Sequence, residues 1–226
     1  MQFIRKDLRM RRLEERDIEL VRQHRNSAFI RQYMEFQEEI TPEMQVRWFH
    51  SINNHNNVYL FTEYKGEPIG LINAKNINWE KRTAEGGIFI WDRRYINSPV
   101  ALLAAMTFGE LAATVFHLRA VAKILVTNKR AIRYNKLLGF ELCEGQETKI
   151  NQLYAFSGER FMRFSRVFRG FLMLLYGKDP IVIELEPEDF ESGFAELMIS
   201  HMDMDQLSEP ETTTNGGIRY NYHPKL

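Results

Sequence analysis

The chain has 226 residues, 44% of them hydrophobic, which is enough for one substantial core with a small appendage. Lys plus Arg and Asp plus Glu both number 30, so the formal net charge is zero, which argues against a chain-wide electrostatic grip on nucleic acid or on an anionic membrane. Cys143 is the only cysteine and has no partner for an internal disulfide, residues 1–17 lack a signal-peptide core, and the apolar run 100–116 is too short to span a membrane and is broken by Gly109 and Glu110, so a cytoplasmic protein is expected.

In chain order, residues 7–13 read as a first strand, and "EERDIELVRQHRN" as a helix with Ile18, Leu20 and Val21 at helical spacing. A second short helix holds Phe29, Ile30 and Met34. Thr41 and Pro42 form a helix start, an N-cap followed by a proline whose missing N–H costs nothing there, and Val46, Trp48, Phe49 and Ile52 follow. "NNHNN" (53–57) ends that helix. "VYLFTEY", "KGEP" and "IGLINAKNI" read as strand, tight turn and strand, and "EGGIFIWD" (85–92) as a third strand of a meander. "SPVALLAAMTFGELAATVFHL" is a helix, "AVAKILVT" (120–127) a buried strand, "KRAIRYNKLL" a helix, and "FELCEG" and "INQLYAF" (150–156) two more strands. No internal repeat interrupts this order.

The segment "NKRAIRYNKLLGF" (128–140) begins with an Asn at the end of a buried strand and closes on Gly-Phe. An Asn there hydrogen-bonds either the orphan N–H groups of the helix or a ligand's amides, and Gly139 suits a left-handed helix end before Phe140 re-enters the core. This segment resembles the last conserved motif of the GCN5-related N-acetyltransferase (GNAT) superfamily, Asn-x-x-Ala, a helix, then Gly-Phe, and the resemblance runs from about residue 7 to residue 156. It implies an α/β GNAT acyl-CoA N-acyltransferase fold, a mixed and mostly antiparallel central sheet flanked by helices, spanning 1–157, with a helical C-terminal extension over 158–226.

The resemblance also implies acetyl-CoA as co-substrate and no metal. Phe89, Ile90 and Trp91 of the "GGIFIW" strand would pair their backbone with the pantetheine arm, Ser98, Val100 and Ala101 would present N–H groups to the pyrophosphate, and Asn128 would lie at the ligand edge of the sheet. The family's Arg/Gln-x-x-Gly-x-Gly/Ala loop is altered here, with Ile96, Pro99 and Ala101 in its three places. Pro99 has no N–H to donate, but Ser98-Pro99 is a good cap and first-turn pair that leaves Val100, Ala101 and Leu102 pointing N–H groups outward. Many members carry a Tyr seven residues after the motif Asn, which returns a proton to the CoA thiolate, and Asn135 stands at that position. Tyr134 is its neighbour, rotated by about 100° along the helix. Glu85, at the head of the strand beside the thioester, is the candidate base for an amine that attacks directly in a ternary complex.

The stretch "RNSAFIRQYMEFQEEIT" (25–41) is similar to the N-acetyltransferases of the pseudaminic acid pathway and to the ribosomal-protein-type acetyltransferases. That likeness implies a small-molecule amine acceptor, a nucleotide-linked amino sugar, held by Arg25, Asn26, Arg31 and Met34, with guanidinium groups suited to a diphosphate. A protein N-terminal amine is the alternative acceptor, and a non-catalytic acyl-CoA-binding or interaction domain is the alternative role. His24 and His50 are candidate helpers of a base, and no cluster has metal-ligand spacing.

Beyond 157, "GERFMRFSRVFRGFLMLLYG" (158–177) reads as one basic amphipathic helix, with Arg160, Arg163, Arg166 and Arg169 every third residue, packed on its own domain or on a homodimer mate. A short strand and a proline-started helix follow, and the polar residues 208–226 read as mobile or extended.

Overall fold

The computed structural model describes residues 1–224. Strands β1 (Gln2–Arg5) and β2 (Leu8–Arg12) form a hairpin, followed by the helices α1 (Ile18–Asn26), α2 (Ala28–Arg31) and α3 (Pro42–Ile52). The meander is β3 (Val58–Tyr64), β4 (Glu67–Asn78) and β5 (Thr83–Ile90). Then come α4 (Pro99–Glu110), β6 (Arg119–Leu125), α5 (Lys129–Leu137), β7 (Glu141–Leu142) and β8 (Asn151–Phe156). The remainder is α6 (Gly158–Phe164), α7 (Arg166–Tyr176), β9 (Ile181–Leu185), α8 (Pro187–Glu191), α9 (Phe194–His201), β10 (Glu211–Thr212) and β11 (Ile218–Tyr222).

The eleven strands of the described residues belong to one sheet, ordered β10-β11-β9-β1-β2-β3-β4-β5-β6-β8-β7, and antiparallel throughout except for β5 beside β6. This is the mixed, mostly antiparallel sheet flanked by helices expected from the sequence. Neighbouring residues point to opposite faces of the sheet. Leu60 and Ile72 therefore join α4, Phe161, Leu172 and Phe194 in the larger core, while Phe61 and Leu71 on the other face pack with Ile18, Val21, Ile30, Phe49 and Trp91 beneath α1–α3. Helix α4 is apolar on nearly every side and is accordingly buried, with Leu103, Ala104 and Met106 fully covered.

Several expectations are corrected. β1 precedes the first strand read from the sequence; its hairpin turns at Lys6-Asp7, with Lys6 at φ 55°, and lacks the Asn-Gly or Asp-Gly pair that marks such turns. The helix expected from Ser98 to Leu118 is α-helical only to Glu110 and continues as a π turn over Leu111–Val115, where the Phe116 N–H reaches the Leu111 carbonyl. The single helix expected over 158–177 is two. Ser165, whose hydroxyl donates to the Phe161 carbonyl and accepts from Arg169 Nη1 at 2.8 Å, separates α6 from α7.

The short strand expected in the extension is β9, which joins the main sheet beside β1; β11, inside the stretch expected to be mobile or extended, pairs with β9 and buries Tyr220 and Tyr222. Lys225 and Leu226 of that stretch lie outside the described residues.

Candidate active site

The cleft begins where the sheet comes apart. β5 pairs with β6 only from Thr83–Gly86 against Arg119–Ala122; past this point β5 stays with β4 and β6 stays with β8, so a wedge opens beyond Gly86. Ile88, an apolar residue in mid-strand, is exposed there. The Trp91 N–H donates to the Ile69 carbonyl at 2.9 Å. Backbone groups alternate sides along an antiparallel pair, so Phe89 and Trp91 direct theirs to β4, and Ile88 and Ile90 present theirs to the wedge. Of the three residues expected to pair with pantetheine, only Ile90 has its backbone free on the open edge. Ile88 is the residue sequence reasoning missed, and the two-residue alternation counted back from Trp91 was the available signal. The Trp91 side chain is structural: its Nε1 donates to the Pro68 carbonyl at 3.1 Å, and its rings stack on His24 at 4.7 Å and 5°.

Helix α4 follows β5 after the loop 91–98. Ser98 caps it, accepting from the Val100 N–H at 3.1 Å and donating to the Tyr95 carbonyl at 2.8 Å. The Val100 N–H is thus engaged rather than directed outward. Pro99 contributes none, so Ala101 carries the remaining donor of the first turn.

Asn128 adopts its capping role, with Oδ1 accepting from the Ala131 N–H at 3.0 Å. Asn135 Nδ2 donates to the Ala131 carbonyl at 2.8 Å, one turn back on α5. An amide so held supplies no acid. The Tyr134 hydroxyl turns away to the Ala101 carbonyl at 3.4 Å, and burial raises its phenol above the ordinary range, so the structure gives it a packing position at the start of α4.

The other side of the wedge lies beneath α1–α3. Glu85 forms an ion pair with Lys75 Nζ at 2.8 Å, directly across the β4–β5 pairing, and its carboxylate is half-buried. Tyr59 lies in the same electrostatic neighbourhood, its phenol pushed up to about 12 by burial first and by the negative charge of Glu85 second. Arg25 completes the set. Its guanidinium is 6.0 Å from the Phe89 ring, Nη1 is sealed from solvent with no hydrogen-bond partner, and burial lowers its pKa against the opposing pull of Tyr59. Tyr59 went unremarked in the sequence because a tyrosine in a meander strand reads as core.

The remaining candidates are not drawn into one set. The Asn26 side chain both donates to and accepts from the Ile40 backbone, at 2.9 Å each, so it fixes the 34–41 loop instead of facing a ligand. Arg31 is half-buried on α2, Met34 packs against the smaller core, and His50 is exposed on α3. Among the described residues no group of three or more His, Cys, Asp or Glu could hold a metal ion, and no helix is long and apolar enough to cross a membrane.

The stacking of His24 on Trp91 carries its own test. Burial holds the imidazole below its ordinary 6.5, opposed by Asp92, so the unfolded chain takes up this proton first as the pH falls. Stability is therefore expected to decline below about pH 6.5, down to the folded value, and the slope of denaturation midpoint against pH between about 7 and 5 should be shallower in His24→Gln. Equal slopes in the two proteins would remove His24 from this role.

A family model described as acetyltransferase (GNAT) domain matches residues 7–141. No curated protein sequence matches the chain. Among solved structures, spermidine N-acetyltransferase from Vibrio cholerae in complex with CoA and spermine aligns at 19% identity, covering 69% of this chain and 98% of that one with a TM-score of 0.58. A domain from Methanocaldococcus jannaschii aligns at 18% identity over 66% and 97% of the two chains with a TM-score of 0.54. An uncharacterized protein from Bacillus halodurans aligns at 16% over 75% and 96% with a TM-score of 0.58. At these identities the likeness is one of fold.

Proposed function

The chain belongs to the acetyltransferase (GNAT) family, and we propose that it transfers the acetyl group of acetyl-CoA to the primary amine of a small molecule that also carries an anionic group, with a nucleotide-linked amino sugar as the first candidate. The observation that carries this reading is the half-buried Arg25, which sits beside Tyr59 and, among the described residues, forms no ion pair with a carboxylate. A half-buried guanidinium without a carboxylate is costly, and an anionic substrate group at its accessible side would relieve it.

Spermine, the polyamine bound in the Vibrio cholerae structure, is a polycation. A site with an unpaired Arg25, and with Glu85 already neutralised by Lys75, suits such an acceptor poorly. A protein N-terminal amine is the alternative, since a peptide also brings acceptor carbonyls to Arg25. A cytoplasmic location and a homodimer belong to the same reading, the first supported by the unpaired Cys143.

In the reaction the amine nitrogen attacks the thioester carbonyl carbon, the C–N bond forms and the C–S bond breaks. The amine proton passes to Glu85, directly or through a water, and the CoA thiolate takes its proton from solvent because Asn135 has none to give. The open backbone edge at Ile88 and Ile90 and the first turn of α4 would hold the pantetheine and the pyrophosphate. Isothermal titration is expected to detect acetyl-CoA binding, and a thiol-release assay over an amine panel to favour anionic amines. Arg25→Ala should raise the acceptor KM roughly 10-fold or more with little change in the KM of acetyl-CoA. Faster turnover of polyamines than of anionic amines would overturn the acceptor assignment.

A further inference from the structure

We propose that the C-terminal extension, which lies outside the family match, forms the adenosine-binding wall of the CoA site, with Phe171 of α7 as the residue on which the purine stacks; this rests on the acetyl-CoA reading above. The pyrophosphate is assigned to the first turn of α4. The adenosine 3′-phosphate end of CoA is bonded directly to that pyrophosphate and must lie beside the same turn.

A groove of about 370 Å³ opens there, lined by Ile96, Pro99 and Leu102 on one side, Leu137 of α5 on another, and Phe168 and Phe171 of α7 on the third. Its volume lies within the roughly 300–1,000 Å³ of ordinary ligand clefts, and its walls are apolar and aromatic, the chemistry that a flat purine selects. Two large side chains at its rim are left facing solvent, Phe171 at 43% exposure and Leu137 at 57%. A ligand lying in the groove would cover both.

The groove is also built for a charged nucleotide. Arg133 and Lys136 on α5, with Arg163 on α6 and Arg166 on α7, are exposed and have no carboxylate partner among the described residues. Arg133 and Lys136 directly precede the lining residues Tyr134 and Leu137 on α5, where they supply positive charge for a 3′-phosphate. The wall itself is preorganised. Leu172, fully buried, and Arg169, within 3.9 Å of the buried Glu110, fix α7 against α4, so Phe168 and Phe171 occupy their positions before any ligand arrives.

The test compares three probes by calorimetry: CoA, adenosine 3′,5′-bisphosphate and 4′-phosphopantetheine, each against the wild type, Phe171→Ala and Phe171→Tyr. Phe171 is partly exposed, so the alanine variant should remain folded, and a thermal melt checks this. Phe171→Ala is expected to weaken CoA and the bisphosphate by roughly 10-fold or more, to leave 4′-phosphopantetheine within about twofold, and Phe171→Tyr to restore binding. If the wild type binds CoA while folded Phe171→Ala binds all three as well as the wild type does, or loses all three equally, the extension is not the adenosine wall. If the wild type binds no CoA, the cofactor reading fails and this inference with it.

Discussion

Glu85→Gln is expected to lower kcat for acetyl transfer by about 10²- to 10⁴-fold, the range typical of losing a general base, while CoA binding and thermal stability stay close to wild type. The amide is nearly isosteric with the carboxylate and still accepts from Lys75, which reaches Glu85 at 2.8 Å across the strand pair. What it lacks is the capacity to take a proton from the incoming ammonium. Turnover of the variant should therefore recover as the pH rises and the acceptor amine deprotonates without help. Asn135→Ala should change kcat only modestly, because its amide is occupied with the Ala131 carbonyl, and Asn135→Tyr should match or exceed the wild type if a phenol at that place reaches the thiolate. Tyr134→Phe should be nearly silent in turnover, since its hydroxyl faces Ala101. Full activity in Glu85→Gln together with inactivity in Tyr134→Phe would reverse these two roles.

Glu110→Gln is expected to destabilise the fold by about 3–5 kcal/mol, the cost of removing one member of a buried ion pair, and to lower Tm by roughly 10 °C. Glu110 is fully buried on α4, 3.2 Å from Arg5 Nη1 on β1 and 3.9 Å from Arg169 Nε on α7, and both guanidinium groups are themselves buried. Burial pushes the Glu110 carboxyl up and the Arg169 guanidinium down, so desolvation outweighs the pairing at each. The cluster is thus a weak source of net stability, but deleting its only acid strands two cations in the core. The combined replacement Arg5→Met, Glu110→Leu and Arg169→Met should lose much less than Glu110→Gln alone. Chemical denaturation of the two proteins settles the point: equal losses would mean that packing, not uncompensated charge, sets the cost.

This cluster also shows why the extension could not be seen as part of the sheet. Arg5, Glu110 and Arg169 are far apart in sequence and individually look like surface charges; Arg169 in particular falls in the every-third-residue arginine series of residues 160–169. Only the tertiary structure separates them, burying Arg169 and leaving Arg163 and Arg166 exposed. The pairing of β11 with β9 was nearly legible, since Ile218, Tyr220 and Tyr222 alternate with polar residues at strand period, but polar flanks and two glycines masked three apolar positions.

The order of meander, buried helix, buried strand and capped helix, and with it the GNAT fold, was legible in the sequence, because apolar periodicity and caps are local properties of consecutive residues. Ser98, Asn128 and Thr41 all cap the helices they were read to begin. The partners of the site's polar groups, in contrast, are set by the packing of distant segments. A hydrogen bond is made between groups that sequence places apart, and each one formed withdraws a group from the ligand. Asn26 is taken up by Ile40, Val100 by Ser98, and the Tyr134 hydroxyl by Ala101, whereas among the described residues the β5 edge at Ile88 has no strand beside it and Arg25 has no carboxylate partner.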